Sequence, residues 1–335
     1  MASTKKTIVV VGATGNQGSS VAHTFLNLPD WHVRCLTRNP SSSASLALTA
    51  LGAEVVQADL SDATSLSQAF ANANAIFVNT DFWETYRKGM ATNPEAAHSH
   101  SEAAFEKELL HGKNAAHAAA AVPSLERFIY SILPSMRKGS NGKYPDSYHW
   151  EAKAAVAEYI LNEEPELAKK SSFIYLGAYN ANPMLSPRID PASGKYTFVL
   201  PLKKGVRMPI IDPRVSTGPF VQALIENEDP GTKLLAYDSY LTMGEIADVW
   251  SKASGKEADY VEVSVEFMHE KLGVPKEVLE APGFISDFGY MGGVHGFIEP
   301  SQLKKKVQTK SFEDWQKERD WKAVLEALNP AKPAS

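Results

Sequence analysis

One cysteine in 335 residues leaves no internal disulfide to hold this chain together. Cys35 stands in "HVRCLT", inside an expected strand, where it reads as a buried thiol and points to a reducing compartment. Positive charge is also short. Lys and Arg number 34 against 39 Asp and Glu, a formal net charge of −5, so no nucleic acid and no anionic membrane surface is expected as a direct partner. Long apolar runs are missing as well. "TIVVVGA" at the N-terminus is shorter than a signal-peptide core and ends in small residues, and no other stretch approaches the length of a membrane span. The location expected from these absences is the cytoplasm, with the nucleus left open. No internal repeat or low-complexity run is present. What remains is a hydrophobic fraction of 44%, enough for one large core or for one core with a smaller attached lobe.

The first half of the chain alternates short β-branched runs with longer helical patterns. "TIVVV" (7–11), "HVRCLT" (32–37), "AEVVQAD" (53–59), "AIFVNT" (75–80), "RFIYSI" (127–132) and "SFIYLG" (172–177) read as buried strands. The segments between them carry apolar residues three and four apart. Such alternation requires right-handed crossovers and predicts an α/β fold, a Rossmann-type doubly wound parallel sheet. After residue 177 the rhythm breaks into pieces punctuated by proline and glycine, such as "GVRMPIIDPRVSTGPF" and "APGFISDFGYMGGVHGF". Residues 1–177, including a helix at 148–161, are expected to form the dinucleotide-binding domain. Residues 178–335 are expected to form mainly a smaller C-terminal α/β lobe over the carboxyl edge of the sheet, with some segments able to return to it.

Gly12, Gly15 and Gly18 follow the first strand directly and open a helix. The first permits a tight turn, the second lets a pyrophosphate approach the backbone, and the third lets helix and sheet pack closely. A dinucleotide site is the expectation. At the end of the second strand, where an NAD-selective protein carries a carboxylate for the ribose 2′-hydroxyl, this chain reads "LTRNPSS". Arg38 suits a 2′-phosphate, Asn39 and Ser41 add polar groups just after it, and no carboxylate stands in the segment. NADP(H) is therefore the expected cofactor.

"VVVGATGNQGSSVA", "LTRNP", "GAEVVQADLSD", "AIFVNTDFWE", "YHWEAKAAVAEYI" and "SVEFMHEKLG" together resemble the NmrA-like family, an atypical branch of the short-chain dehydrogenase/reductase superfamily. The likeness runs from about residue 5 to the terminal "FEDWQKERDW". It implies an NADP(H)-binding Rossmann domain in a family whose members divide between reductases and redox-sensing regulators. It also implies that Gly12, Thr14, Asn16 and Gln17 hold the pyrophosphate and that Asp59 and Leu60 border the adenine. Thr80, Asp81 and Phe82 would then lie beside the nicotinamide ribose, with Tyr179 and Asn182 near the nicotinamide.

Residues 131 to 153 carry the chemistry. Members of the wider superfamily use a Ser, a Tyr and a Lys four residues after the Tyr, on one helical face. Here the lysine is Lys153, but His149 stands four residues before it, and Tyr148 is turned by about 100° around the helix. Ser131 occupies the position of the superfamily serine. Lys153 is expected to bind the nicotinamide ribose, and His149 either relays a proton in place of the tyrosine or packs structurally. Tyr144, Tyr148 and Tyr179 are rival acids. No metal site is expected, because "HSH" at 98–100, His111 and His117 follow no ligand pattern. The aromatic trio Phe82, Trp83 and Tyr86 fits either a substrate pocket or crossover packing. "DFGYMGG" (287–293) is expected to form a flexible wall of the cleft. The reading that results is an NADPH-dependent reductase of a small, hydrophobic carbonyl, enone or imine. The alternatives are a cofactor-binding sensor with a protein partner, and an enzyme that keeps the cofactor as scaffold for a non-redox rearrangement or cyclisation. Either a monomer or a homodimer is compatible with the sequence.

Overall fold

The predicted strands assemble in a computed structural model that describes residues 5–190 and 193–328. In chain order they are β1 Lys6–Val10, β2 Trp31–Thr37, β3 Glu54–Gln57, β4 Ala75–Val78, β5 Arg127–Ile132 and β6 Ser171–Leu176. The later strands are β7 Ala178–Tyr179, β8 Arg188–Ile189, β9 Tyr196–Leu200, β10 Arg207–Ile211, β11 Lys233–Ala236, β12 Ser239–Thr242, β13 Ala258–Glu262 and β14 Phe297–Ile298. Helices α1 Asn16–Leu26, α2 Ser43–Ala50, α3 Ala63–Phe70, α4 Trp83–Thr92, α5 Ala97–Ala120, α6 Met136–Gly139 and α7 Tyr148–Glu163 fall mainly in the first half. They are followed by α8 Pro165–Ala168, α9 Thr217–Glu226, α10 Met243–Ser254, α11 Val265–Leu272, α12 Lys276–Phe288, α13 Phe312–Lys317 and α14 Trp321–Leu328.

Eight strands form one sheet in the order β14-β11-β6-β5-β4-β1-β2-β3, and every pairing in it is parallel. All carboxyl ends therefore share one edge, and the strand order reverses between β1 and β4. That reversal is where an open α/β sheet leaves a crevice for a ligand. β1 and β4 are buried on both faces, which is why "IVV" and "AIFV" read as continuous apolar runs rather than as alternation.

One face of the sheet packs against α3, α5 and α7, the other against α1, α2 and α9. Strands of the second half thus complete the main sheet, β11 pairing with β6 and β14 with β11, and α9 lies on α1. The glycine and proline of "STGPF" sit in the first turn of α9, where proline is tolerated, and not in a loop. Gly218 is where α9 meets α1, since a Cβ there would lie 2.1 Å from Thr24 Oγ1 and 2.3 Å from Ser20 O. Likewise α12 runs straight through Pro282 and Gly283. Two three-stranded sheets, β12-β10-β7 and β13-β9-β8, stand over the carboxyl edge. Cys35 is buried in β2, and burial pushes its thiol up to about 12, so it is an inert core residue. Among the described residues no helix is long and apolar enough to cross a membrane.

Candidate functional site

A cavity of about 1290 Å³ opens along the carboxyl edge, between the large sheet and the segments that cover it. Of the residues singled out from the sequence, Gly12, Thr14, Gly15, Asn16, Gln17, Arg38, Asn39, Asp59, Leu60, Thr80, Asp81, Phe82, Ser131, His149, Lys153, Tyr179 and Asn182 all line it. Two do not. Ser41 lies outside the wall and spends its N–H on Asn39 Oδ1, while its neighbour Ser42 lines the cavity and caps α2. Gly18 is behind the turn, where a Cβ would stand 2.2 Å from Gly12 O. Its role is the close helix-sheet approach and not a ligand contact.

The glycine turn fits a phosphate. Gly12 has φ +73°, a left-handed conformation that favours glycine, and α1 begins after Gly15 with no side chain capping its first turn. Those first-turn N–H groups and the positive end of the helix face the cavity. Gln17 is buried with its Oε1 unpartnered, while its Nε2 donates to Tyr179 OH at 2.8 Å. The uncapped helix end offers donors to a phosphate, whereas the orphaned Gln17 Oε1 is an acceptor and calls for a ligand hydroxyl or N–H.

At the end of β2 Arg38 is not free. Its guanidinium pairs with Glu84 of α4 at 2.9 Å, and Glu84 also takes Lys88 at 2.7 Å. These bonds hold the Glu84 carboxyl down to about 2 and raise Arg38 further. The sequence segment around Arg38 holds no carboxylate, but the fold delivers one from beyond β4. Lys107 and His111 of α5 also line this end, with His111 Nε2 2.8 Å from Ser61 Oγ. Burial, with Lys107 nearby, lowers the His111 pKa. The Asp81 carboxylate accepts the N–H groups of Trp83 and Glu84 and so fixes the start of α4.

Lys153 sits at the cavity floor within a buried network. Its Nζ donates to Thr80 O at 2.9 Å and to Glu108 Oε1 at 2.9 Å, with Asn79 Oδ1 and Thr80 Oγ1 at 3.3 Å. Glu108 has no solvent exposure and also accepts Thr80 Oγ1 at 2.6 Å. Ser131, in β5, is buried on the same floor.

One turn before Lys153, His149 Nδ1 lies 2.6 Å from Oε1 of Glu277, whose side chain is 2% exposed. The Glu277 carboxylate also accepts the backbone N–H groups of Tyr148 and His149, so an acid from α12 caps the helix that carries both candidate residues. Engagement of Nδ1 fixes the ring's orientation and leaves Nε2 as the nitrogen available to the cavity. The ring lies against Trp83, centroids 4.7 Å apart. Two rival acids are removed by position. Tyr144 OH donates to Asp287 at 2.7 Å and Tyr148 lies under Arg137; neither lines the cavity. Tyr179 does line it, as does Tyr290, whose OH donates to Leu176 O. Phe82 and Trp83 are pocket residues, whereas Tyr86 is packed behind Phe82. In "DFGYMGG" only Tyr290 reaches the cavity. Gly292 and Gly293 lie close against Phe284, Phe288 and Gly139 and outside the cavity wall.

Glu280, one turn beyond Glu277, accepts the Asp146 N–H and is 7% exposed. Burial pushes its carboxyl up to about 7. Between about pH 4.5 and pH 7 the folded chain then binds more protons at this group than the unfolded chain does, so stability falls as pH rises through that window. Thermal melting of Glu280→Gln at intervals from pH 4.5 to 8 should show a shallower decline than wild type. Asp238, pushed up to about 6, acts with the same sign, so part of the decline should persist in the variant.

With this geometry in view, the sequence pattern of the NmrA-like family matches residues 4–322. The chain belongs to the NmrA-like family. A relative within the family, the NmrA-like family domain-containing oxidoreductase hkm9 of Aspergillus hancockii, is 28% identical over 90% of this chain and 88% of its own length. NmrA, a negative transcriptional regulator solved with NADP and with NAD, superposes with TM-scores of 0.66 and 0.68. Its identity is 20% and 22%, over 97% and 96% of this chain and 98% and 97% of NmrA. Leucoanthocyanidin reductase of Vitis vinifera, solved with NADPH, gives 0.65 at 16% identity over 92% of this chain and 98% of the other. At these identities the NmrA-like likeness among structures establishes the fold. It agrees with the parallel sheet and the crevice at β1/β4.

Proposed function

We propose that this protein is an NADP(H)-dependent reductase of a small, hydrophobic carbonyl, enone or imine compound, with Lys153 and His149 as its working pair. The observation that carries the reading is the buried Glu277 carboxylate 2.6 Å from His149 Nδ1, in a cavity that Lys153 shares. Side chains that only pack do not need a buried acid to fix one ring nitrogen and leave the other available. The related hkm9 is named an oxidoreductase, and NADP(H) occupies solved structures of the same fold.

The chain's own residues fit the cofactor. Gly12, Thr14, Gly15, Asn16 and Gln17 form the phosphate cradle, and Arg38 with Asn39 would face the 2′-phosphate. Asp59 and Leu60 would border the adenine, while Thr80, Asp81, Phe82, Lys153, Tyr179 and Asn182 would surround the nicotinamide half. When bound, the cofactor supplies a hydride. His149 then delivers a proton from Nε2 to the substrate heteroatom that gains charge, Glu277 keeping the ring in place. Lys153 would hold the ribose by giving up one of its present protein acceptors. A volume of about 1290 Å³ exceeds the roughly 300–1,000 Å³ of a single small-molecule site, which leaves room for a second ligand. Met184, Leu200, Met208, Met268, Leu279 and Ile285 make that remaining wall apolar, which favours a hydrophobic substrate.

NADPH oxidation followed across carbonyl, enone and imine compounds tests the proposal. Turnover of at least one class is expected. Tight NADPH binding without turnover of any compound would overturn it in favour of a cofactor-occupied sensor, a reading to which the full engagement of Lys153 by protein acceptors lends weight.

A further inference from the structure

The Arg38–Glu84 pair bridges the ends of two strands that are not neighbours. Arg38 follows β2 and Glu84 opens α4 after β4, and β1 lies between those strands in the sheet. The ion pair therefore crosses the carboxyl edge above the start of the glycine turn, and both of its residues line the cavity. A dinucleotide laid along that edge has its adenosine on the β2 side and its nicotinamide on the β4 side. It must meet this bridge.

We propose that Glu84 is a resident counter-ion that competes with the 2′-phosphate of NADP(H) for Arg38 and so sets how strongly the protein prefers NADP(H) over NAD(H). This rests on the cofactor reading above and deepens it. Glu84 Oε2 occupies the guanidinium at 2.9 Å, the contact a phosphate oxygen would make. Asp59 and Asp81 also face Arg38 without pairing with it, so the cation is already surrounded by negative charge. A 2′-phosphate brings close to two further negative charges to this spot. Glu84 holds the guanidinium at Nη2, so a 2′-phosphate gains the full bidentate fork of Arg38 only by displacing Glu84, which stays on Lys88. A 2′-hydroxyl brings no charge and leaves the bridge intact. Glu84 thus penalises one dinucleotide and is nearly indifferent to the other. The side chains of Arg38 and Glu84 are 63% and 30% exposed, which makes the penalty modest and sensitive to salt.

Calorimetric titration of wild type and Glu84→Gln with NADPH and NADH, and with the fragments 2′,5′-ADP and 5′-AMP, tests the assignment at low salt and again in 0.5 M NaCl. The NADPH and 2′,5′-ADP dissociation constants should fall by about two- to five-fold in the variant. Those for NADH and 5′-AMP should stay within experimental scatter, and the gain should shrink at high salt. Glu84→Ala should show the same sign, and melting without ligand checks that both variants fold. Equal changes for the two dinucleotides, or weaker NADPH binding in the variants, would overturn the inference; the second result would mean that the bridge closes over bound cofactor. Wild-type protein that bound neither dinucleotide would overturn the cofactor reading, and this inference with it.

Discussion

Lys153→Met is expected to destabilise the fold by about 3–5 kcal/mol, measured by urea unfolding, before any effect on chemistry is considered. Glu108 has no exposure at all, and Lys153 at 2.9 Å is the cation paired with it among the described residues. Removing the ammonium leaves an uncompensated charge in the core, and its second oxygen, Oε2, already lacks a partner. Lys153→Met combined with Glu108→Gln should recover most of the loss, because the buried charge leaves with its partner while an amide oxygen still accepts the Thr80 hydroxyl. Recovery should stop at stability. If Lys153 also holds the nicotinamide ribose, NADPH affinity will remain low in the double variant. Full recovery of both would reduce Lys153 to a structural residue.

His149→Phe is expected to lower kcat by about 10²–10⁴-fold while the NADPH dissociation constant changes little. Phenylalanine keeps a ring against Trp83 but removes the nitrogen that would hold the proton. Glu277→Gln should give a smaller loss, roughly ten-fold, since the amide still accepts the Tyr148 and His149 N–H groups but fixes the imidazole less firmly. Unchanged kcat in His149→Phe on a substrate that wild type reduces would sink the relay.

The parts of the site that could be read in advance are those encoded by local spacing. Gly12, Gly15 and Gly18 carry their message within one turn, and His149 and Lys153 within one helical repeat. The partners could not be read this way. Glu277 comes from 128 positions away and Glu108 from 45, and nothing in "PKEVLEAPGF" or "EKELLHGK" distinguishes those acids from solvated ones. Glu84 was hidden for a related reason: in "FWETYRKG" it looks like an ordinary first-turn helix acid, and only the strand order brings it to Arg38. Which serine of "NPSSS" turns toward the cavity is likewise not written in local spacing: the bend between β2 and α2 puts Ser42 in the wall and Ser41 outside it. In the second half, glycine and proline were read as punctuation. Gly218 and Gly283 are instead points of close approach between packed elements, where the missing side chain serves Ser20 in one case and Tyr144 in the other.

That β11 and β14 complete the large sheet has a consequence for biosynthesis. While the chain emerges from the ribosome, β6 presents an open, hydrophobic hydrogen-bonding edge until about sixty further residues have been made, and the flank later covered by α9 stays bare for much of that time. The nascent half-molecule is a natural client for chaperones, and truncations placed ahead of residue 233 should aggregate rather than yield a shorter soluble fragment.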